Sequence, residues 1–241
     1  MALFGKKKMS PEEQAAREMN KTKLDGFKVT KALGIKKYES AMQFIYDNEN
    51  KQFAVVEGPE ETFRERDPWV IDYSQVTRVA LEVEESWSEE KGQYAPDGYG
   101  ILLQDKYDEV WWRYEFYAII ETTHPYAGTI RYPMNFKKTI IQVPNSNGIF
   151  CRRGLEINGV YEGEKLDELI AKMEELQLTE PKNLTFKRIM SRPIGEKRDL
   201  LDMVAQDLKD DYNADKYMKA INNMTVHIKR VRRIREITMG K

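Results

Sequence analysis

The feature that most constrains the fold is a stretch in period two, residues 109–132, with the sequence EVWWRYEFYAIIETTHPYAGTIRY. Successive side chains of a strand point to opposite faces of a sheet. Trp112, Tyr114 and Phe116 therefore fall on one face, and Trp111 falls on the other. Because both faces carry large rings, we predict that both are covered, one by the sheet interior and the other by a helix or a partner. The C-terminal helices are the predicted cover.

Further period-two stretches precede and follow this one. Residues 41–58 predict a strand, a polar turn and a strand, residues 69–86 predict another strand, and residues 137–154 predict short extended pieces. A helical pattern then follows, in which apolar residues recur at i, i+3, i+4 and i+7 from Leu166, and Pro181 is expected to lie just beyond that helix. Strands that precede helices predict an α+β protein with a mainly antiparallel sheet.

The two ends of the chain differ from this middle. Ser10, Pro11 and Glu13 form the signature of a helix start, with a cap, a proline at the first position and an acid three residues after the cap. We therefore predict three parts: a basic tail and helix at 1–37, a β domain with its capping helix at 38–180, and a helical basic extension at 181–241.

The C-terminal extension carries an apolar stripe at 4-3-4-3 spacing, which is typical of a helix that contacts another helix. Its members are Tyr217, Ile221, Met224, Ile228 and Val231. A short amphipathic stretch precedes the stripe. The polar residues 209–215 are expected to interrupt the helix between that stretch and the stripe. The stripe predicts either self-association or partner docking, or a helix that folds back on its own sheet, and the pattern does not separate these alternatives.

Charge is distributed unevenly, although the formal net charge is only −1. Residues 1–38 hold 10 Lys/Arg and 4 Asp/Glu, residues 39–110 hold 6 and 18, and residues 181–241 hold 15 and 8. The chain thus has basic ends and an acidic middle, which favours attraction between segments or an oppositely charged partner.

The last helix presents a dense row of cations that suits phosphate groups of nucleic acid or anionic lipid. These candidate anion contacts are Lys229, Arg230, Arg232, Arg233 and Arg235. The alternative is a solvated helix end, where cations also favour the helix dipole. No aromatic side chain lies among these residues to stack on a base, which disfavours single-strand binding.

Signals for catalysis are sparse. His124 precedes a proline in a turn and could act as a base or ligand, but the sequence places no nucleophile beside it, so an exposed hairpin residue is the favoured interpretation. Cys151, the single cysteine, has two arginines after it, yet a lone cysteine is usually a small buried hydrophobe. Phosphate loops and zinc-enzyme motifs are missing. We predict no catalytic, cofactor-binding or metal-binding residues.

Three further motifs stand in the β region. They are a turn at Ile71, Asp72, Tyr73, Ser74 and Val76, an acid-ended strand at Leu81, Val83, Glu84 and Glu85, and a hairpin at Pro125, Tyr126, Ile130, Arg131 and Tyr132. Together they resemble an uncharacterised bacterial pleckstrin-homology-like domain that often follows a small zinc ribbon. The resemblance covers roughly residues 38–178. The CxxC pairs of the zinc ribbon are missing here, and the C-terminal helices are an addition.

This resemblance implies an antiparallel β-sandwich or partly open barrel capped by a helix, a fold that usually serves as a binding platform for proteins or lipid headgroups. We therefore predict a non-enzymatic binding or scaffolding module without a cofactor or small-molecule substrate. Its expected partner is a protein or a second copy of the chain, and the alternative is nucleic acid or anionic membrane bound through the basic helix. The single cysteine and the missing long apolar stretch favour the cytoplasm.

Overall fold

A computed structural model describes residues 10–34, 41–90, 94–96, 102–104, 109–135, 137–144, 154–190 and 200–240. The chain divides into two compact units, which are described separately. Unit 1 consists of Met1–Arg78, Ile120–Tyr132 and Glu236–Lys241, and unit 2 of Val79–Ile119 and Pro133–Arg235.

The α-helices are α1 (Pro11–Gly26), α2 (Glu164–Met190) and α3 (Leu200–Met239), and short 3-10 helices span Glu60–Arg66 and Tyr73–Gln75. The strands are β1 (Lys31–Gly34), β2 (Met42–Asp47), β3 (Gln52–Glu57), β4 (Ile71–Asp72), β5 (Val76–Glu90), β6 (Tyr94–Pro96), β7 (Leu102–Gln104), β8 (Glu109–Thr122), β9 (Thr129–Pro133), β10 (Thr139–Pro144) and β11 (Gly159–Tyr161).

Unit 1 is built on an antiparallel sheet with strand order β1-β2-β3-β4. Helix α1 begins where the sequence predicts, because the Ser10 hydroxyl accepts a hydrogen bond from the backbone N–H of Glu13 at 3.1 Å. At the other end of α1, the Arg64 guanidinium donates to the carbonyl of Leu24 at 3.2 Å and of Phe27 at 2.7 Å. The cation thus adds hydrogen bonds at the C-terminal end of the helix, where the Leu24 carbonyl also accepts the N–H of Phe27 and a positive charge favours the helix dipole.

The core of unit 1 joins α1 to this sheet. Its buried apolar members are Leu24, Phe27, Ala32, Ile45, Ala54, Val56, Phe63 and Val70. Asn20 is buried among polar partners, since its amide donates to the carbonyl of Pro68 and accepts from the N–H of Val70, both at 2.8 Å. Each large apolar side chain buried here contributes about 1.5–3 kcal/mol of favourable transfer free energy.

Unit 2 contains most of a five-stranded sheet with the order β10-β8-β5-β11, in which β9 also pairs with β8. Strand β10 runs antiparallel to β8 with Ile141 opposite Trp112, and β11 runs antiparallel to β5 with Gly159 opposite Val83. Asn135 joins two neighbouring segments, because its amide oxygen accepts from the N–H of Phe116 and its NH2 donates to the carbonyl of Tyr114. Strands β6 and β7 form a separate two-stranded sheet.

Helix α2 buries the predicted apolar face, formed by Leu166, Leu169, Ile170 and Met173. It does not end before Pro181 as expected but continues to Met190, so the proline costs one hydrogen-bond donor without ending the helix. Helix α3 is likewise continuous from Leu200 to Met239, and the expected polar interruption at 209–215 is wrong. That segment contains neither proline nor glycine, so its residues are compatible with helix and their polarity alone does not end it.

The predicted α+β class with antiparallel sheets is confirmed. Strand β1 was missed, since it lies within the stretch interpreted as tail and helix, yet pairs with β2 along its whole length. Among the described strands, neither of the larger sheets closes into a barrel. The three-part division of the chain stays a prediction, as does the sandwich or partly open barrel.

Candidate functional site

The C-terminal stripe lies in the interior of unit 2. Ile221, Met224, Ile228 and Val231 are fully buried, and Tyr217 is half-buried. Contacts at the stripe join this helix to its own chain, since the amide of Gln177 on α2 donates to the hydroxyl of Thr225 at 3.0 Å, and the His227 ring lies 5.8 Å from the Phe116 ring. This placement corresponds to the alternative in which the helix folds back on its own sheet.

The cations of α3 lie beside acidic residues of α2. Lys229 pairs with Glu174 at 2.6 Å, while Arg232 and Arg235 lie 3.9 and 3.7 Å from the carboxylate of Asp167. Arg230 and Arg233 also interact with neighbouring groups. The carboxylates of α2 thus neutralise part of the positive charge on α3 that the sequence analysis assigned to binding an external anion.

The two faces of β8 differ in burial. Trp112, Tyr114 and Phe116 are buried, whereas Trp111 is half-buried. The buried face contacts helix α3, since the Phe116 ring lies beside that of His227. The other face holds polar contacts, including the pairing of Lys138 with Glu115. The second face is half-buried, with the charged side chains of Arg113 and Glu115 between the rings of Trp111 and Tyr117, and a cover over this face stays a prediction.

His124 lies in unit 1 in the predicted turn. Its Nδ1 accepts the backbone N–H of Tyr126 at 3.2 Å, and its ring lies 5.1 Å from that of Trp69. Burial lowers the pKa of His124, with further lowering by Lys23 and Arg17 and an opposing effect of Asp72. Its hydrogen bonds to the turn indicate a structural role. Cys151 and the basic start at residues 1–9 lie outside the described residues.

Next to His124, Trp69 carries an arginine on its face. The Cζ of Arg17 lies 3.7 Å from the centre of the Trp69 ring. The same guanidinium donates to the Asp67 carboxylate at 3.3 Å and to the Asp67 carbonyl at 2.8 Å. Unit 1 therefore contains a complete set of an indole face, a carboxylate two residues before it in sequence, and a stacked guanidinium.

An open, shallow pocket of about 380 Å³ lies at the surface of unit 2. We call it the tryptophan pocket, and its lining residues are Glu85, Trp87, Trp112, Glu156 and Asn158. Trp87 is 58% exposed, and its ring lies 6.1 Å from the largely buried ring of Trp112 at an interplanar angle of 38°. Large exposed indole surface is unusual on a protein and is enriched where proteins bind partners.

Alternation along β5 explains why Glu85 and Trp87 meet Trp112. Leu81 and Val83 are buried, and Glu85 and Trp87 continue the same face of the strand. The Glu85 carboxylate accepts a hydrogen bond from the backbone N–H of Ile157 at 3.0 Å. The backbone N–H of Glu85 donates to Oδ1 of Asn158 at 3.2 Å. These bonds hold one wall of the pocket against the strand.

Gly154 allows that wall to lie close. A Cβ at this position would overlap Oε1 of Glu85 and would lie 2.6 Å from Cε3 of Trp112, so a larger residue would displace the wall. Glu156, two residues further on, adopts a left-handed backbone conformation with φ of 53°. This conformation is uncommon for a residue other than glycine.

The electrostatics of the tryptophan pocket are acidic. Glu85 and Glu156 carry carboxylates, and in the described part of the chain no lysine or arginine forms an ion pair with either. The Nε1 of Trp112 is buried and has no hydrogen-bond acceptor among the described residues. The described lining residues thus offer two negative charges and an indole surface, and none of them is a cation or a nucleophile.

Sequence reasoning did not find this site, although it identified Trp112. The available signal was the alternation Leu81, Val83, Glu85, Trp87, which carries the core face of β5 beyond its apolar part. The wall from Gly154 to Asn158 comes from some 70 residues later and could not be placed without the fold.

Comparison with protein families, with curated proteins and with solved structures finds no match to this chain. Function must therefore be argued from the site itself. Within the described residues, no helix is both long enough and apolar enough to cross a membrane.

Proposed function

We propose that this chain is a non-enzymatic binding module of the cytoplasm that engages a protein partner through the tryptophan pocket of its β domain. One observation carries the proposal: Trp87 is 58% exposed beside Trp112 in an open, acidic pocket. Burying such an indole on binding removes a large apolar area from water, and tryptophans are enriched among the residues that dominate binding energy.

The pleckstrin-homology-like comparison remains part of this proposal. What supports it is the run of antiparallel strands followed by helix α2, whose first turns are buried against unit 2. In that analogy the sheet is the platform and the partner is a peptide or protein segment.

The C-terminal helix is not the docking surface in this proposal. Ile221, Met224 and Ile228 are buried within their own unit, and the cations at Lys229 and Arg235 already lie beside acids of α2. A partner or a polyanion at α3 would have to displace these contacts first.

An array of sequence-diverse peptides probed with the full-length protein tests the proposal. We expect a subset of peptides to bind, and we expect Trp87→Ala to lose that subset, because the exposed indole supplies most of the contact area. The matched control is Val160→Ala, which truncates another exposed apolar residue of unit 2. Binding by Trp87→Ala equal to that of the unchanged protein would refute the assignment of the pocket.

A further inference from the structure

We infer that the tryptophan pocket recognises an arginine side chain of a partner polypeptide, with its guanidinium stacked on Trp87 and hydrogen-bonded to the carboxylates. The inference rests on the proposed function and names the chemistry of the partner. It follows from the charge of the pocket, from the geometry of its two indoles and from a corresponding set of residues in unit 1.

The charge of the pocket selects a cation. Glu85 and Glu156 contribute two carboxylates beside an indole surface, and in the described residues neither has a cationic partner. One oxygen of Glu85 accepts the N–H of Ile157. Each carboxylate has several lone pairs, so acceptor sites remain for a ligand. An anionic ligand such as a phosphate would meet repulsion from both groups.

The geometry of the rings selects a planar cation. The Trp87 and Trp112 rings lie 6.1 Å apart and tilt by 38°, so they contact each other and leave no gap between them for a bulky quaternary ammonium. The accessible ring surface is that of Trp87, which is 58% exposed, whereas Trp112 is largely buried. A guanidinium is planar, stacks on an aromatic face and donates in a fork that matches a carboxylate, whereas an ammonium is a compact and strongly hydrated charge.

Unit 1 contains a comparable combination of side chains in which a cation is present, although its carboxylate follows a 3-10 helix and does not lie in a strand. Asp67 precedes Trp69 by two residues, as Glu85 precedes Trp87, and the guanidinium of Arg17 stacks on Trp69 while it donates to Asp67. In unit 2, no arginine or lysine among the described residues stacks on Trp87. The carboxylate and indole of that set are thus present in the tryptophan pocket, and the cation is left for a partner to supply.

The test uses the peptide acetyl-Gly-Ser-Arg-Ser-Gly-amide and three counterparts in which lysine, citrulline or trimethyllysine replaces arginine. Citrulline keeps the planar shape of arginine without its charge, and lysine keeps the charge without the plane. The readout is the set of four indole N–H signals of the ¹⁵N-labelled full-length chain, with Trp87 assigned from Trp87→Phe.

We expect the arginine peptide to shift the Trp87 signal saturably, and citrulline to weaken binding by about tenfold, because charge-assisted hydrogen bonds and the cation–π contact are both lost. Lysine is expected to bind several-fold more weakly than arginine. Glu85→Gln and Glu156→Gln should each lower the affinity for the arginine peptide several-fold and make that affinity less dependent on salt. Glu168→Gln, on the exposed side of α2, should leave the affinity and its salt dependence unchanged.

Equal binding of citrulline, tighter binding of trimethyllysine, or no shift of Trp87 would each overturn the inference. The proposed function fails separately. If the diverse array yields peptides that need Trp87 but lack arginine, the pocket is a docking site of different specificity, and only the arginine assignment is lost. If no peptide of the array needs Trp87, both are lost.

Discussion

At the scale of single residues, buried polar groups determine which positions make the stability of the chain sensitive to pH. Asp47 is buried in unit 1, and although burial alone would raise the pKa of its carboxyl, hydrogen bonds from the N–H groups of Lys28, Asn50 and Glu49 and from the Asn50 side chain lower it overall. The carboxylate therefore organises the turn after β2. His227 is the contrasting case, because its Nδ1 is buried and has no hydrogen-bond partner in the described part of the chain.

His227 makes the stability of the protein dependent on pH. Burial, with a smaller effect of Arg230, lowers the pKa of His227 to about 4. Between pH 6.5 and 4 the unfolded chain binds a proton at this residue and the folded chain does not, so acidification favours unfolding. We expect about 3 kcal/mol of the free energy of unfolding to be lost across this interval and no further loss from this group below it.

Urea unfolding at pH 7, 5.5 and 4 measures this dependence. In His227→Leu, which replaces the ring with an apolar side chain, the difference in unfolding free energy between pH 7 and 4 should shrink. His124→Asn is the matched control, because burial also lowers the pKa of His124 but the residue is only half-buried, so its removal should change the pH dependence less. A pH dependence identical in His227→Leu and the unchanged protein would contradict the prediction.

At the scale of elements, one strand face carries both structure and the candidate site. Strand β5 buries Leu81 and Val83 and then presents Glu85 and Trp87 on the same face. A long strand can thus contribute to the core at one end and to a surface pocket at the other. Helix α3 does the reverse, since a stripe with the spacing of an interaction helix is used for internal packing.

The packing of α3 predicts a large difference between two neighbouring apolar residues. Ile228 is fully buried and Val226 is 47% exposed, although both lie in the same turn. Ile228→Ala is expected to cost about 2–5 kcal/mol of unfolding free energy, because it removes buried methyl groups and leaves a cavity. Val226→Ala should change stability by less than about 0.5 kcal/mol.

Chemical denaturation of both variants measures this difference. A direct comparison requires that the unfolding free energy falls with denaturant concentration at the same slope in both. If Ile228→Ala unfolds like Val226→Ala, then α3 does not contribute its stripe to the core of unit 2, and the alternative of partner docking regains its support.

At the scale of the whole molecule, the uneven charge is partly compensated inside the chain. Acidic residues of α2 lie beside the cations of α3, as in the pair Lys229–Glu174. Exposed pairs of this kind contribute at most about 1 kcal/mol each to stability, so their main consequence is a weaker attraction for external polyanions.

The burial of the α3 stripe predicts the mass of the protein in solution. Because Met224 and Ile228 are covered by their own unit, we expect light scattering to give 28.3 kDa, the mass of one chain. The measurement should be repeated across a concentration series. A mass that rises with concentration, and that falls back when Val226 or another exposed residue of α3 is made charged, would instead support self-association through this helix.

Much of the local structure could be predicted from patterns among neighbouring residues. The cap at Ser10, the apolar face of α2, the turn after His124 and the alternation along β8 are properties of neighbouring residues, and they could be predicted because local patterns encode them. Only the tertiary structure decided which apolar surfaces meet. Whether the stripe of α3 faces its own chain, and whether Gly154 and Glu156 reach Trp87 and Trp112, depends on contacts between segments far apart in sequence, which periodicity does not specify.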